Sequence, residues 1–164
     1  MKTLIVYCSS HGTTEKAVQL ISEWMEGEVL TVDLKRDKTM YNVEDFDFVI
    51  IGGSIHAGSI QGKVKQFIGK HYEVLMAKKI GLFLCCWHDG ETALAQFNEA
   101  FPEVLRKKSI ANGVFGGEFL VSKMNFLERQ MVKKVSGITT ETSNLDTTAI
   151  MTFVMKINAT LAAV

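Results

Sequence analysis

Four hydroxyl side chains lie within six residues near the start of the chain, in the run Ser9-Ser10-His11-Gly12-Thr13-Thr14. The run separates an apolar segment, which predicts a buried strand, from a segment with helical periodicity. The first N–H groups of a helix have no partner inside the helix, and the helix dipole attracts an anion there. A helix cap needs only one hydroxyl. The run therefore predicts a phosphate-binding loop, in preference to a simple cap.

Missing residues exclude several ways of reacting with that phosphate. A Walker nucleotide loop requires a lysine directly after its last glycine, but Gly12 is followed by Thr13. A low-molecular-weight tyrosine phosphatase would pair Cys8 with an arginine six positions on, but that position is Thr14. The ends of the first and third predicted strands also lack the acidic residues of a receiver domain. What remains is a site for a bound, unreacting phosphate, which the backbone at Gly12 can approach closely.

Strands and helices alternate along the chain and must position this loop. The predicted strands cover residues 4–7, 29–34, 46–51, 80–86 and 111–119. Apolar residues at helical spacing predict helices around residues 17–24, over 64–75, around 93–101, over 121–136 and over 150–161. Such alternation predicts a doubly wound α/β fold with a five-stranded parallel sheet, order 2-1-3-4-5, and helices on both faces. Ligands are expected at the carboxyl ends of strands one, three and four.

Composition narrows the class of protein. The chain has 164 residues, of which 47% are hydrophobic and 22% charged, as in globular domains. Eighteen basic residues balance eighteen acidic ones, so charge gives no reason to expect a nucleic-acid partner. Three cysteines argue against a secreted disulfide framework, and the first residues are too soon interrupted for a signal peptide. We expect one domain over residues 1–164, located in the cytoplasm.

The first loop resembles a known family signature. The run Val6-Tyr7-Cys8-Ser9-Ser10-His11-Gly12-Thr13-Thr14 is similar to the flavodoxin signature, except that Val18 stands where the signature has alanine. In flavodoxins this loop holds the phosphate of flavin mononucleotide (FMN). The resemblance therefore implies a flavodoxin-like fold, FMN as cofactor, and phosphate contacts from Ser9, Ser10, His11, Gly12, Thr13 and Thr14. A dinucleotide flavin is disfavoured because no G-x-G-x-x-G follows a strand.

Later segments point to a subfamily. The run 51–58, the run Gly116-Gly117-Glu118-Phe119, and a basic amphipathic helix followed by Ser136-Gly137 resemble the flavodoxin-type, menaquinone-dependent protoporphyrinogen oxidases. The resemblance covers most of the chain. It implies an FMN-dependent oxidoreductase that passes electrons from a reduced substrate, such as a porphyrinogen, to a quinone-type acceptor.

Two further loops are expected to contact the flavin ring. Small residues allow close backbone approach to the ring edge, and an aromatic residue can stack on its face. The candidates after strand three are Ser54, Ile55, His56, Ala57 and Gly58, and those after strand four are Cys86, Trp87, His88 and Asp89. His56 either acts at the ring or is an ordinary loop histidine. Cys85 and Cys86 are more simply explained by packing than by redox chemistry. No catalytic acid or base and no metal-ligand spacing can be named.

The sequence of the segment 121–136 is compatible with more than one partner. Four cations, Lys123, Arg129, Lys133 and Lys134, face one acid, Glu128, with apolar residues between them. Such a helix rests on an anionic membrane surface or receives a carboxylated substrate; alternatively, it is a solvated helix whose apolar side packs on the sheet. Membrane contact would locate the protein at the inner face of the membrane. The alternative functions are a small electron-transfer flavodoxin, which the neutral charge disfavours, and a non-flavin binding module.

Overall fold

Short apolar segments rich in β-branched residues form the central sheet. The computed structural model describes residues 1–119 and 121–163. Its parallel strands are β1 Lys2–Tyr7, β2 Glu28–Asp33, β3 Phe48–His56, β5 Lys79–Cys85 and β6 Ala111–Val114, and β4 Ser59–Ile60 pairs antiparallel with the end of β3. The parallel strands lie in the order β2-β1-β3-β5-β6. Counted without β4, this is 2-1-3-4-5, which confirms the predicted α/β fold.

Helices cover both faces of this sheet, because alternate strand residues point to opposite sides. Ile5 and Tyr7 share one core cluster with α1 Thr13–Trp24 and α7 Thr147–Ala162. Leu4 and Val6 belong to a second cluster. That cluster is covered by α2 Gly62–Lys70, α3 Tyr72–Ala77, α4 Gly90–Ala100 and α5 Glu103–Lys108. Each fully buried Leu, Ile or Val contributes roughly 1.5–3 kcal/mol. The two clusters fix the sheet whose strand ends carry the site.

The fifth predicted strand is too long. Instead of continuing to Phe119, β6 ends at Val114, and β7 Glu118–Phe119 pairs antiparallel with β8 Thr142–Ser143. The chain turns at Gly116, which has a φ of 71°. A Cβ there would overlap the carbonyl oxygen of Asn144, so only glycine fits this crossing.

The third predicted strand is too short, because Gly52 and Gly53 suggested its end. In the structure β3 continues to His56, since Gly53 and Ser54 pair with β5. A Cβ on Gly52 would overlap the ring of Phe83. Gly52 therefore lies inside the strand, where the absence of a Cβ lets the Phe83 ring pack against the backbone, and it does not form a turn.

Two predicted helices are interrupted. The helix expected over 64–75 is divided into α2 and α3 at His71, whose φ of −109° and ψ of 17° leave the helical region. The His71 N–H still bonds to the Phe67 carbonyl and the Leu75 N–H to the His71 carbonyl, so the apolar spacing continues across the break. The segment 121–136 begins with a 3₁₀ turn, Val121–Lys123, and continues as α6 Phe126–Ser136.

Candidate functional site

A cavity of about 490 Å³ opens at the carboxyl ends of β1, β3 and β5, where the fold predicts a ligand. Its size is typical of small-molecule sites. It brings together most of the residues expected to bind the cofactor: Ser9, Ser10, His11, Thr13, Thr14, Ser54, Ile55, His56, Ala57, Gly58, Cys86, Trp87 and His88. Gly12 and Asp89 do not line it. Gly12 lies at the N-cap of α1, and Asp89 is the exposed N-cap residue of α4.

The loop after β1 has an anion-binding geometry. Gly12 has a φ of 96°, and its N–H donates to Ser9 Oγ at 3.1 Å. Thr14 is 1% exposed, and among the described residues its Oγ1 has no oxygen or nitrogen partner, only the weakly bonding thiol of Cys85. Buried hydroxyls are normally satisfied. An unsatisfied hydroxyl beside a helix N-terminus fits a bound phosphate.

The turn after β3 presents its backbone to the cavity. Ala57 and Gly58 connect β3 to β4 with φ values of 48° and 82°, as in the two-residue turns of tight hairpins. Gln61 holds the start of this turn, since the Ser54 N–H donates to Gln61 Oε1 at 2.9 Å and Gln61 Nε2 donates to Ser54 Oγ at 2.7 Å. Hydrogen bonds therefore fix the turn at Ser54, whereas Ala57 and Gly58 at its tip are exposed.

The loop after β5 is positioned by Gly117. A Cβ on this glycine would lie 3.0 Å from the carbonyl carbon of Cys86 and 3.0 Å from the nitrogen of Trp87. The backbone of Gly117 therefore lies directly against the 86–88 loop, which lines the cavity. Burial raises the pKa of Cys85 to about 12 and that of Cys86 to about 11, so both thiols are protonated near neutral pH.

Two histidines and a glutamate form a cluster at the cavity rim. The His11 and His56 rings stack with centroids 5.2 Å apart, and His11 Nε2 lies 3.3 Å from Glu128 Oε2. Burial and the neighbouring His11 lower the pKa of His56. The Asn125 N–H, at 2.9 Å, and His11 lower the pKa of Glu128. At neutral pH, His56 is therefore neutral and Glu128 is ionised.

Sequence reasoning missed a buried carboxylate next to the phosphate loop. The Glu118 side chain is 6% exposed. It accepts hydrogen bonds from Lys16 Nζ at 3.0 Å, Ser143 Oγ at 2.8 Å and Thr13 Oγ1 at 3.4 Å. Burial alone would raise its pKa, but the bonds from Ser143 and Lys16 outweigh this and lower it. Glu118 thus ties β7 to the loop after β1. The only sequence signal was its position in the resemblance around Gly116-Gly117.

Helix α6 forms one wall of the cavity, which corrects the interpretation that its apolar side packs on the sheet. None of its residues is buried. The face at i, i+3, i+4, i+7 and i+8 lines the cavity through Glu128, Met131, Val132, Val135 and Ser136. Leu127, expected on the apolar stripe, is 75% exposed. Met124, from the predicted apolar stripe of 121–136, also lines the cavity, as does Gln96, which the sequence did not indicate.

Comparison with known proteins identifies the family. A family model described as a flavodoxin domain matches residues 4–146. The chain therefore belongs to the flavodoxin family. This membership supports FMN as the cofactor and makes the protein a flavoprotein of oxidoreductase type.

Solved structures share this fold at low identity. A WrbA-like flavodoxin from Agrobacterium tumefaciens has a TM-score of 0.59 at 13% identity. The match covers 99% of this chain and 97% of the Agrobacterium chain. The two-electron reduced flavodoxin of Megasphaera elsdenii has a TM-score of 0.53 at 22% identity, with 68% and 84% covered. A Fusobacterium nucleatum flavodoxin bound to FMN has a TM-score of 0.50 at 18% identity, with 68% of each chain covered.

One curated relative carries an enzyme name. Protoporphyrinogen IX dehydrogenase [quinone] of Leishmania major is 24% identical over 157 residues, covering 87% of this chain and 66% of the relative. The chain thus spans slightly less than two thirds of that relative's length.

Proposed function

We propose that the chain is an FMN-dependent oxidoreductase that transfers electrons from a porphyrinogen-like reduced substrate through FMN to a quinone-type acceptor. One observation carries the proposal: the cavity combines the phosphate loop with an apolar wall from α6. Met131, Val132 and Val135 give that wall the character that a large hydrophobic substrate requires. The name of the Leishmania major relative agrees with this substrate class.

We assign the cofactor contacts to the loops that meet in the cavity. The Ser9–Thr14 hydroxyls and the first N–H groups of α1 would donate hydrogen bonds to the phosphate. Gly12 would permit the conformation of the loop without lining the cavity. The flavin ring would lie between the 54–58 turn and the 86–88 loop, with Trp87 against one face. Asp89 lies outside the cavity lining, so it would not contact the ring.

The protein's own part in the reaction is to bind, enclose and accept protons. When bound, FMN would supply the electron-transfer chemistry, from the substrate to a second partner. The apolar residues of α6 would contact the apolar part of the substrate. His56 is neutral at physiological pH because burial lowers its pKa, so it can accept a proton that substrate oxidation releases.

The partner surface follows from charge. Lys133 and Lys134 in the last turn of α6 are exposed, next to the exposed apolar side chains of Leu127 and Val135. This combination suits peripheral contact with an anionic membrane surface, where quinones reside, and it suits the carboxylates of a porphyrin. No described helix is long and apolar enough to cross a membrane.

Turnover tests the proposal. FMN-loaded protein should oxidise a porphyrinogen when a quinone is added, and the flavin-free protein should not. A second candidate, an electron-transfer flavodoxin, is favoured by the similarity to the Megasphaera elsdenii protein. If the loaded protein oxidises no porphyrinogen with any quinone but exchanges electrons with a flavoprotein reductase, the carrier function replaces the oxidase function.

A further inference from the structure

We propose that Lys123 adds a cationic contact to the cofactor phosphate at the Ser9–Thr14 loop. The inference rests on the proposed function and adds a cationic contact from the second half of the chain. Lys123 Nζ lies 3.2 Å from the position that a Cβ on Gly12 would occupy. The ammonium group therefore reaches the surface of the loop, in the space that glycine leaves open.

The loop needs such a charge. A phosphate monoester carries about −1.5 to −2 charges at neutral pH, whereas a helix N-terminus supplies about half a positive charge. The Ser and Thr side chains of the loop are neutral. The nearby Lys16 is engaged with the buried Glu118 at 3.0 Å. Among the described residues, Lys123 forms no ion pair within 4.0 Å. Its charge acts on Glu141 from a longer distance, where it helps to lower the pKa of that carboxyl, so the ammonium group is available to a phosphate.

The position of Lys123 links the cofactor to the cavity wall. Lys123 ends the 3₁₀ turn Val121–Lys123, and the next residue, Met124, lines the cavity ahead of α6. Ser122, in the same turn, donates its N–H to Glu141 Oε1 at 2.8 Å, which holds the turn near this carboxylate. A phosphate held by Lys123 would compete with Glu141 for the ammonium charge. It would also fix the start of α6 over the substrate region.

The first test compares FMN with riboflavin, which lacks the phosphate. Lys123→Gln should raise the Kd for FMN about tenfold, because a charge-assisted hydrogen bond is lost, and should leave the Kd for riboflavin within about twofold. Lys123→Arg should retain most of the affinity for FMN. Lys156→Gln removes the same charge from the exposed side of α7 and should change neither Kd.

The outcomes distinguish this inference from the proposed function. If wild-type protein binds FMN no tighter than riboflavin, the phosphate loop itself is wrongly assigned. If wild-type protein prefers FMN and Lys123→Gln preserves that preference, only the role of Lys123 is refuted. An equal loss for both flavins, or an equal effect of Lys156→Gln, also refutes it, because neither result requires contact with the phosphate.

A second measurement needs no substitution. Hydrogen exchange of the amides in residues 121–136 should slow when wild-type protein binds FMN and change little when it binds riboflavin at equal saturation. Equal protection by both flavins would overturn the link between the phosphate and this segment.

Discussion

At the scale of single residues, burial keeps some titratable groups of the cavity neutral, and hydrogen bonds keep others ionised. Cys85, Cys86 and His56 are held in their neutral forms by burial. Glu118 and Glu128 are ionised, and each is held by hydrogen bonds from two or more elements. Neutral side chains suit the uncharged flavin ring. The two carboxylates would repel an anion, so their hydrogen bonds to Lys16, Ser143 and His11 serve the structure of the site and not the binding of phosphate.

Trp87 provides an optical test of the ring position. If the flavin stacks against it, FMN binding should strongly quench Trp87 fluorescence, because the two π systems are in contact. The Trp24→Phe variant, changed in α1 away from the cavity lining, should retain the quenching, and Trp87→Phe should lose most of it. Quenching that persists unchanged in Trp87→Phe would locate the ring elsewhere.

Gly116 is required by the fold. A Cβ at this position would overlap the Asn144 carbonyl oxygen, and its φ of 71° strains any other residue. Gly116→Ala should lower the free energy of unfolding by at least about 2 kcal/mol in urea denaturation. Gly69→Ala is the matched control, because it lies in α2 with open space around its Cβ position. It should raise the stability by up to about 1 kcal/mol. Equal effects of the two substitutions would contradict the crossing at Gly116.

At the scale of elements, the sequence predicts best where one local pattern determines the outcome. The run from Leu4 to Tyr7 is buried on both faces, so its apolar residues alone predict a strand. The strand end at Gly52-Gly53 was misjudged because a packing contact with Phe83 is invisible in local sequence. The contact of His11 with Glu128 joins segments far apart in sequence. No local pattern contains such information, which explains why the sequence pointed to the loops at the strand ends but left the role of the segment 121–136 between two alternatives.

The charge of α6 is open to a direct test. The double substitution Lys133→Gln and Lys134→Gln should weaken binding to anionic vesicles by tens-fold, since each basic residue near such a surface contributes on the order of 1 kcal/mol. It should also raise the KM for porphyrinogen and leave the flavin spectrum intact. Vesicle cosedimentation and steady-state kinetics measure the two effects.

A control with equal charge loss is available. Lys38 and Lys156 are exposed and lie outside α6, and changing both to Gln should have little effect on vesicle binding. If this pair weakens binding as much as the α6 pair, net charge and not the α6 surface is responsible. Absence of vesicle binding by the wild-type protein would refute the membrane contact.

At the scale of the whole molecule, stability should be greatest between about pH 6.5 and 9. Because burial lowers the pKa of His56 below 6.5, the unfolded chain binds its proton first, and stability falls as the pH drops below that value. Glu118 and Glu128, with pKa values below 4.5, add a further loss below pH 4.5. The thiols of Cys85 and Cys86 ionise near pH 9 only when unfolded, so stability also falls above pH 9. Urea denaturation of the flavin-free protein at pH 5.5, 8 and 10 measures this, and a higher stability at pH 5.5 than at pH 8 would contradict it.

The chain has 18 basic and 18 acidic residues, so no net charge steers partners toward it. Binding therefore depends on local features of the surface and the cavity. The phosphate loop is the most local of these features, and cofactor binding depends on it. Its defining groups are the Thr13 hydroxyl, which bonds to Glu118, and the buried, unsatisfied Thr14 hydroxyl.

The most direct test is an equilibrium titration of flavin-free protein with FMN and with riboflavin, for the wild type and for the double substitution Thr13→Ala and Thr14→Ala. We predict that the wild type binds FMN far more tightly than riboflavin. The double variant should weaken FMN binding by roughly ten- to a hundredfold, since hydrogen bonds to a charged group contribute about 1.5–3 kcal/mol each, and should leave riboflavin binding nearly unchanged. Equal losses for the two flavins, or a wild type without preference for FMN, would contradict the assignment of this loop to the cofactor phosphate.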